Sequence, residues 1–229
     1  MRERAVDLGG HPGLLVKPAD ARFFYVLAHG AGAGMRHVFM VEIAEALAAR
    51  GVATLRWEFP YMTRKKAGRP DKAEIAERAV REVWSASRAH AGELPSFAGG
   101  KSFGGRMTSR AHAAEPLAEL RGIAFLGFPL HPPEKPGIER AEHLAQAAGP
   151  LLFLTGTRDD LADLALLEPV VSDLGRRATL HVVEHADHGF DVLVRSGRTH
   201  PEVMAELADT LLAWMERVTK KSRSSARSR

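Results

Sequence analysis

A serine flanked by glycines stands at residues 99–105, and its surroundings fit a nucleophile at a tight turn. The segment reads Gly-Gly-Lys-Ser-Phe-Gly-Gly, with apolar residues before it and a predicted helix at 106–115 after it. A strand that turns into a helix at Ser102 would strain the backbone there and expose the hydroxyl. Strand and helix nearly touch at such a turn, so the positions two before and two after must be small, as Gly100 and Gly104 are. Plain strand–helix turns can share this pattern.

Acyl transfer by a serine also requires a base, a carboxylate that orients the base, and N–H donors for the oxyanion. After Ser102 the chain carries Asp159 and then His188, each in a loop that follows a predicted strand. Asp160 is an alternative to Asp159 as the acid, and His185 is an alternative to His188 as the base. The sequence thus supplies an acid and a base after the serine in a workable order.

The elements that must position these residues alternate between strands and helices. Strands are predicted at 13–17, 22–28, 52–57, 95–101, 122–127, 151–155 and 179–183. Helices are predicted at 37–50, 71–90, 106–115, 138–148, in part of 161–175 interrupted by Pro169, and from residue 201. This alternation indicates an α/β fold with a mostly parallel sheet covered on both faces. The loops after five of the strands should therefore meet at one edge of the sheet, where ligands bind.

Composition indicates one ordinary globular domain. The chain has 229 residues, which is enough for one well-buried domain. It has no cysteine, which excludes disulfides and thiolate chemistry. The first residues do not resemble a signal peptide and no apolar run is long enough to span a bilayer, so a cytoplasmic location and no membrane span are expected.

Basic charge is concentrated at the C-terminus. Residues 217–229 hold six Lys or Arg and no acid, and subtracting these six from the net charge of +4 leaves −2 for residues 1–216. We therefore expect a single domain at 1–216 and a basic, disordered tail at 217–229. Such a tail could touch RNA or anionic lipid, but it predicts no specific nucleic-acid partner.

Six short motifs carry a resemblance to a known family. They are residues 29–32, 59–62, 99–105, 129–132, 156–159 and 187–190. With them the chain resembles a small α/β-hydrolase of the dienelactone-hydrolase-like kind, from about residue 23 to 215. It looks closest to a subgroup whose relatives include a subunit of an animal histone-acetyltransferase complex.

The resemblance implies an α/β-hydrolase fold without a large lid domain, and a serine hydrolase that cleaves a small ester or thioester through an acyl-enzyme without a cofactor. A binding or scaffold protein on the same fold is the alternative. By the family motifs, Asp159 is the acid and His188 the base. Phe103 and Ala31 should supply the oxyanion donors, with Gly32 as a second choice for the latter.

The substrate is expected to be a small acyl compound in a shallow or open pocket. The pocket is predicted to be bordered by Tyr61, Met62, Leu130, His131 and Phe190, with Lys101 beside the nucleophile. A basic loop carries Arg64, Lys65, Lys66 and Arg69. These cations could steer an anionic substrate toward the site, or they could simply be solvated.

No metal site is predicted, because His181, His185 and His188 lack ligand spacing. His29 is expected to bond nearby loop backbone, and the sequence does not indicate an oligomeric state.

Overall fold

A computed structural model describes residues 3–64 and 69–227, without the side chains after residue 221. Within these residues the strands form one eight-stranded sheet of order β1-β2-β4-β3-β5-β6-β7-β8. The strands are β1 (Arg4–Asp7), β2 (Pro12–Val16), β3 (Phe23–Ala28), β4 (Val52–Trp57), β5 (Ser96–Lys101), β6 (Ile123–Leu126), β7 (Leu151–Arg158) and β8 (Ala178–Asp187). Strands β3 to β8 pair in parallel, whereas β1 and β2 are antiparallel to their neighbours. The predicted α/β fold is confirmed.

Helices cover the sheet. They are α1 (Val38–Ala48), α2 (Pro60–Thr63), α3 (Ala73–Ala91), α4 (Phe103–Ala114), α5 (Leu164–Asp173) and α6 (His200–Arg227). Short 3-10 helices occupy Glu139–Ala145, Gly175–Arg177 and Val194–Ser196. Contrary to expectation, Pro169 lies inside α5, and the predicted helix at 138–148 is a 3-10 helix. None of the described helices is long and apolar enough to cross a bilayer.

The core lies on both faces of the sheet, as β3 shows. All six of its residues are buried, and they alternate between two apolar clusters. One cluster contains residues of α1 and α6, and the other contains residues of α3 and α4. Because successive strand residues point to opposite faces, the two helix layers cover opposite sides of the sheet.

The last helix crosses the expected domain boundary at residue 216. Val218 is 7% exposed and belongs to the same apolar cluster as Leu211 and Trp214. Arg217 donates a hydrogen bond to the Thr179 hydroxyl of β8 at 3.1 Å. The expected disorder is therefore wrong for the start of this segment, because a buried valine anchors it. The side chains of 222–227, and residues 228 and 229, lie outside the described residues.

Strand β5 meets helix α4 at Ser102, whose φ of 48° and ψ of −116° are unusual for a non-glycine residue. The helix begins directly over the end of β3. A Cβ added at Gly104 would lie 2.5 Å from the carbonyl oxygen of His29 and 2.6 Å from that of Ala28. A Cβ at Gly100 would also overlap the Ala28 carbonyl group. The expectation of small residues on both sides of the serine therefore has a direct steric basis.

We predict that Gly104→Ala destabilises the protein by about 1–3 kcal/mol, because the new methyl group overlaps two backbone oxygens. Helix propensity alone would give the opposite sign, since alanine is favoured over glycine by about 1 kcal/mol inside a helix. Urea unfolding would measure the change. Ala113→Gly in the same helix is the control and should lose only the propensity difference. A stabilised Gly104→Ala protein would contradict the steric explanation.

Candidate active site

A chain of hydrogen bonds joins Ser102, His188 and Asp159 at the carboxyl edge of the sheet. His188 Nε2 lies 2.9 Å from Ser102 Oγ, and His188 Nδ1 lies 2.9 Å from each Asp159 carboxylate oxygen. The Asp159 side chain is fully buried, whereas that of His188 is 19% exposed. Since Asp159 accepts from Nδ1–H, Nε2 is left to accept the serine proton.

The position of Asp159 depends on β7 and β8, which extend further than the sequence predicted. Their pairing shifts register between Gly156 and Arg158, where a Cβ at Gly156 would overlap the Ala186 carbonyl. Asp159 follows β7 directly, and its Oδ1 also accepts the Leu161 N–H at 2.9 Å. The adjacent Asp160 is exposed. The close approach of the two strands therefore brings Asp159, and not Asp160, to the histidine.

His188 lies in a short loop after β8 that is stabilised by hydrogen bonds between its own residues. Asp187 Oδ1 accepts the N–H of Gly189 at 2.8 Å and that of Asp191 at 3.0 Å. Phe190 is buried with a φ of 68°, and its ring stacks on Phe39 at 5.8 Å between centroids. Asp187 therefore shapes the loop, and the buried Phe190 anchors it.

The alternative base, His185, is exposed and does not line the cavity that contains Ser102. Its described contacts are made by its backbone: its N–H donates to Thr157 Oγ1 at 2.8 Å, and its carbonyl accepts from Arg158 at 3.1 Å. These bonds fasten the end of β8 to β7.

Two backbone N–H groups beside Ser102 suit an oxyanion. Phe103 is the first residue of α4, so no carbonyl within the helix can reach its N–H. Ala31 lines the same cavity as Ser102, and its neighbour Gly30 lies against the serine, with an added Cβ only 3.7 Å from Ser102 Cβ. Gly32, in contrast, is not among the residues that line this cavity. Ala31 is therefore better placed than Gly32 as the second donor.

His29 forms hydrogen bonds with the backbone of nearby loops, including the loop after β3 that contains Gly30 and Ala31, as the sequence predicted. It is fully buried, its Nδ1 lies 2.8 Å from the Gly30 carbonyl, and its Nε2 accepts the Phe59 N–H at 3.1 Å. Tyr61 adds a hydrogen bond to the same carbonyl at 3.3 Å, and burial raises the pKa of its phenol to about 12. The buried histidine and phenol thus fix the segment that carries Ala31.

A cavity of about 540 Å³ opens beside the serine. Most of its wall comes from α1 and the loop before it. It is lined by Gly30, Ala31, Ala33, His37, Val38, Phe39, Met40, Glu42, Lys101, Ser102, Leu161, His188, Gly189, Asp191 and His200. Part of the wall is polar: His200 Nε2 lies 2.8 Å from Glu42 Oε2, and its Nδ1 lies 3.4 Å from Asp191 Oδ1.

Of the six residues predicted to border the substrate pocket, only Lys101 lines this cavity. Tyr61, Leu130, His131 and Phe190 are buried in the protein interior, and Met62 packs against the cluster that contains Tyr61. His131, for example, accepts the Asp163 N–H at 3.1 Å, before α5. The sequence predicted helix α1 but missed its contribution to the cavity wall, although the helix starts shortly after the loop that lies against Ser102.

The basic loop is only partly described. Arg64 forms an ion pair with Asp71, and Arg69 is exposed. Lys65 and Lys66 lie outside the described residues. Among residues 3–64 and 69–227, no group of three or more metal-binding side chains is arranged around a common point.

Comparison with solved structures identifies the same fold. Dienelactone hydrolase from Anabaena variabilis superimposes with a TM-score of 0.74 at 22% identity, over 94% of this chain and 97% of that one. A serine hydrolase without a lid from Xanthomonas campestris gives a TM-score of 0.64 at 17% identity, over 96% and 95% of the two chains. At these identities the likeness concerns the fold alone.

A Mycobacterium tuberculosis protein with the provisional name phosphoribosyl transferase is 28% identical over 189 residues. The match covers 81% of this chain but 40% of the relative, so the chain spans less than half the length of the curated relatives it matches.

The family comparison covers nearly the whole chain. The sequence profile described as an alpha/beta hydrolase domain matches residues 21–216, which include every strand from β3 to β8 and all three residues of the hydrogen-bond chain. Sequence, sheet order and structural neighbours agree, and the chain belongs to the alpha/beta hydrolase domain family.

Proposed function

We propose that this protein is a serine hydrolase that cleaves small esters or thioesters through an acyl-enzyme. The observation that carries the proposal is the hydrogen-bond chain from Ser102 through His188 to the buried Asp159. The structural neighbours, which include a dienelactone hydrolase and esterases, support the same reaction class.

In the first half of the proposed reaction, Ser102 Oγ attacks the acyl carbon while its proton passes to His188 Nε2. The N–H groups of Phe103 and Ala31 stabilise the negative charge that develops on the carbonyl oxygen. The C–O or C–S bond then breaks, and His188 returns the proton to the leaving alcohol or thiol. In the second half, water attacks the acyl-enzyme with His188 as the base, and this releases the acid and free Ser102.

The backbone at Ser102 favours catalysis over a purely structural role. A non-glycine residue at a φ of 48° and ψ of −116° costs about 1–3 kcal/mol, which the surrounding structure must offset. The resemblance to a histone-acetyltransferase-complex subunit would also allow a scaffold protein. Such a protein gains no function from a strained backbone at Ser102. We therefore place the scaffold function second.

We predict that a fluorophosphonate probe labels the wild-type protein once, at Ser102. An activated serine attacks phosphorus as it attacks an acyl carbon, so intact mass should rise by one adduct. The control is Ser102→Ala, which should fold and remain unlabelled; Ser109→Ala, at a serine outside the site, should label normally. A folded wild-type protein that resists the probe would favour the scaffold function.

We predict that Asp159→Asn lowers kcat for ester hydrolysis by about 10³–10⁴-fold, because an amide cannot hold His188 in the required tautomer. The matched control is Asp160→Asn, at the exposed neighbouring position, which should change kcat less than twofold. Steady-state kinetics with a 4-nitrophenyl ester measures both. A large loss of kcat in Asp160→Asn with little change in Asp159→Asn would identify Asp160 as the acid instead.

The side chains in the cavity wall indicate the size and charge of the acyl group that the cavity would bind. Its apolar lining residues are Ala31, Ala33, Val38, Phe39, Met40 and Leu161. Among the described residues, the wall carries one cation, Lys101, but two carboxylates, Glu42 and Asp191, which together would oppose a negatively charged acyl chain. We therefore propose a neutral, short-chain acyl group, which favours the alternative that the cations of the basic loop are simply solvated.

We predict that kcat/KM rises about fourfold for each methylene from acetate to butyrate esters, because a buried CH₂ contributes about 0.8 kcal/mol. Hydrolysis of the 4-nitrophenyl series at constant ionic strength measures this. The hemisuccinate ester should react more slowly than the pentanoate ester of similar length. A preference for the hemisuccinate that disappears in high salt would instead support electrostatic steering.

A further inference from the structure

Lys101 precedes the nucleophile, yet its side chain turns toward the loop that holds the base. Its Nζ donates a hydrogen bond to the backbone carbonyl oxygen of His188 at 2.5 Å. The same ammonium lies 5.7 Å from the centre of the Phe39 ring and 5.5 Å from that of Phe190. An added Cβ at Gly127, whose φ is 72°, would be 3.2 Å from both Lys101 Nζ and His188 Cε1, so a side chain there would press on both groups.

These contacts add α1 to the two segments that the Ser102–His188 hydrogen bond already joins. Ser102 belongs to the turn after β5, His188 to the loop after β8, and Phe39 to α1. Lys101 is covalently next to the nucleophile, contacts the main chain of the base, and lies near the Phe39 ring, which stacks on Phe190 of the base loop. One cation thus ties three segments together.

No carboxylate among the described residues forms a direct ion pair with this lysine. Among the described residues, the charges that act on it are the carboxylates of Asp159, Asp187 and Asp191. The turn after β6 contributes only Gly127, and α1 contributes the Phe39 ring. The titratable residues His37, Glu42 and His200 line the same cavity. The ammonium is therefore held chiefly by one carbonyl and two aromatic faces.

We propose that Lys101 is a positioning residue whose ammonium holds the His188 loop in register with the nucleophile, and that loss of its proton loosens this loop. The inference rests on the proposed hydrolase function and concerns the regulation of that site. A neutral amine donates a weaker hydrogen bond and has no cation–π attraction to Phe39 or Phe190. The base would then reach Ser102 less often.

The relevant pH range follows from the surroundings of the lysine. Burial lowers its pKa from 10.5 to about 8, although the nearby carboxylates act in the opposite direction. Between pH 8 and 10.5 the unfolded chain therefore binds more protons than the folded protein at this residue. Folding stability should rise with pH in that range. Activity should fall over the same range, so the two properties change in opposite directions.

The first test measures the rate of fluorophosphonate labelling and kcat/KM for a neutral ester from pH 6 to 10. The wild-type rate should fall at least fivefold with a midpoint near pH 8, the pKa of Lys101. Lys101→Met should be at least tenfold slower at pH 7, with no decline near pH 8 and with unchanged or higher stability in urea. A Lys101→Met protein that keeps the wild-type rate and alkaline decline would overturn the proposal.

The matched control is Lys17→Met. Lys17 also donates a hydrogen bond to a backbone carbonyl, that of His90 at 2.9 Å, but it does so away from the cavity. This variant should keep the wild-type rate at every pH and the alkaline decline. If it shifts the profile as Lys101→Met does, the effect comes from surface charge, and the positioning role is wrong.

A second test does not depend on hydrolase activity. NMR of the wild-type histidine rings, with His188→Gln to assign the signal, should show His188 resonances changing near pH 8 together with the Lys101 ammonium signal. His188 resonances that stay constant while Lys101 titrates would overturn the inference even if labelling is normal. Conversely, a coupled titration in a protein that resists the probe would retain the positioning role and reject the hydrolase function.

Discussion

The close packing of backbone around Ser102 is the constraint on which the rest of this structure depends. Helix α4 begins so near the end of β3 that position 104 has no space for a methyl group, and the serine accepts an unusual backbone conformation as a result. This contact fixes the hydroxyl at the edge of the sheet. Asp159 and His188 reach it from the ends of β7 and β8, whose pairing shifts register there.

The sequence was sufficient to predict those parts of the site that backbone geometry controls. The parallel sheet followed from buried apolar runs between loops, and the small residues around Ser102 followed from the turn. Asp159 and His188 were chosen through family motifs, and the structure places both within hydrogen-bonding distance of each other. Spacing alone had left Asp160 as an alternative acid and His185 as an alternative base. The backbone conformation of a loop decides which of two nearby side chains points to the site, and the sequence does not give that conformation.

The pocket could not be predicted in the same way. Burial depends on which helix covers which loop, and the sequence does not show this. Leu130, His131 and Phe190 therefore have side chains suited to a pocket wall but are buried in the interior. In the predicted helix at 37–50, Val38 is apolar, yet it is 62% exposed and lines the cavity. The start of the segment 217–229 was wrongly predicted to be disordered for a related reason. Its basic residues suggested solvent exposure, but Val218 among them is buried.

The origin of the cavity wall has a consequence for how this protein could acquire new substrates. Much of the wall comes from the first turn of α1 and the loop before it, whereas later residues of α1, such as Ile43 and Leu47, are buried in the core. Phe39 and Met40 line the cavity and also belong to the core, whereas Val38 lines the cavity and is 62% exposed. Substitutions at exposed positions such as Val38 can change selectivity at little cost in folding, so α1 is the natural segment in which specificity can diverge or be redesigned.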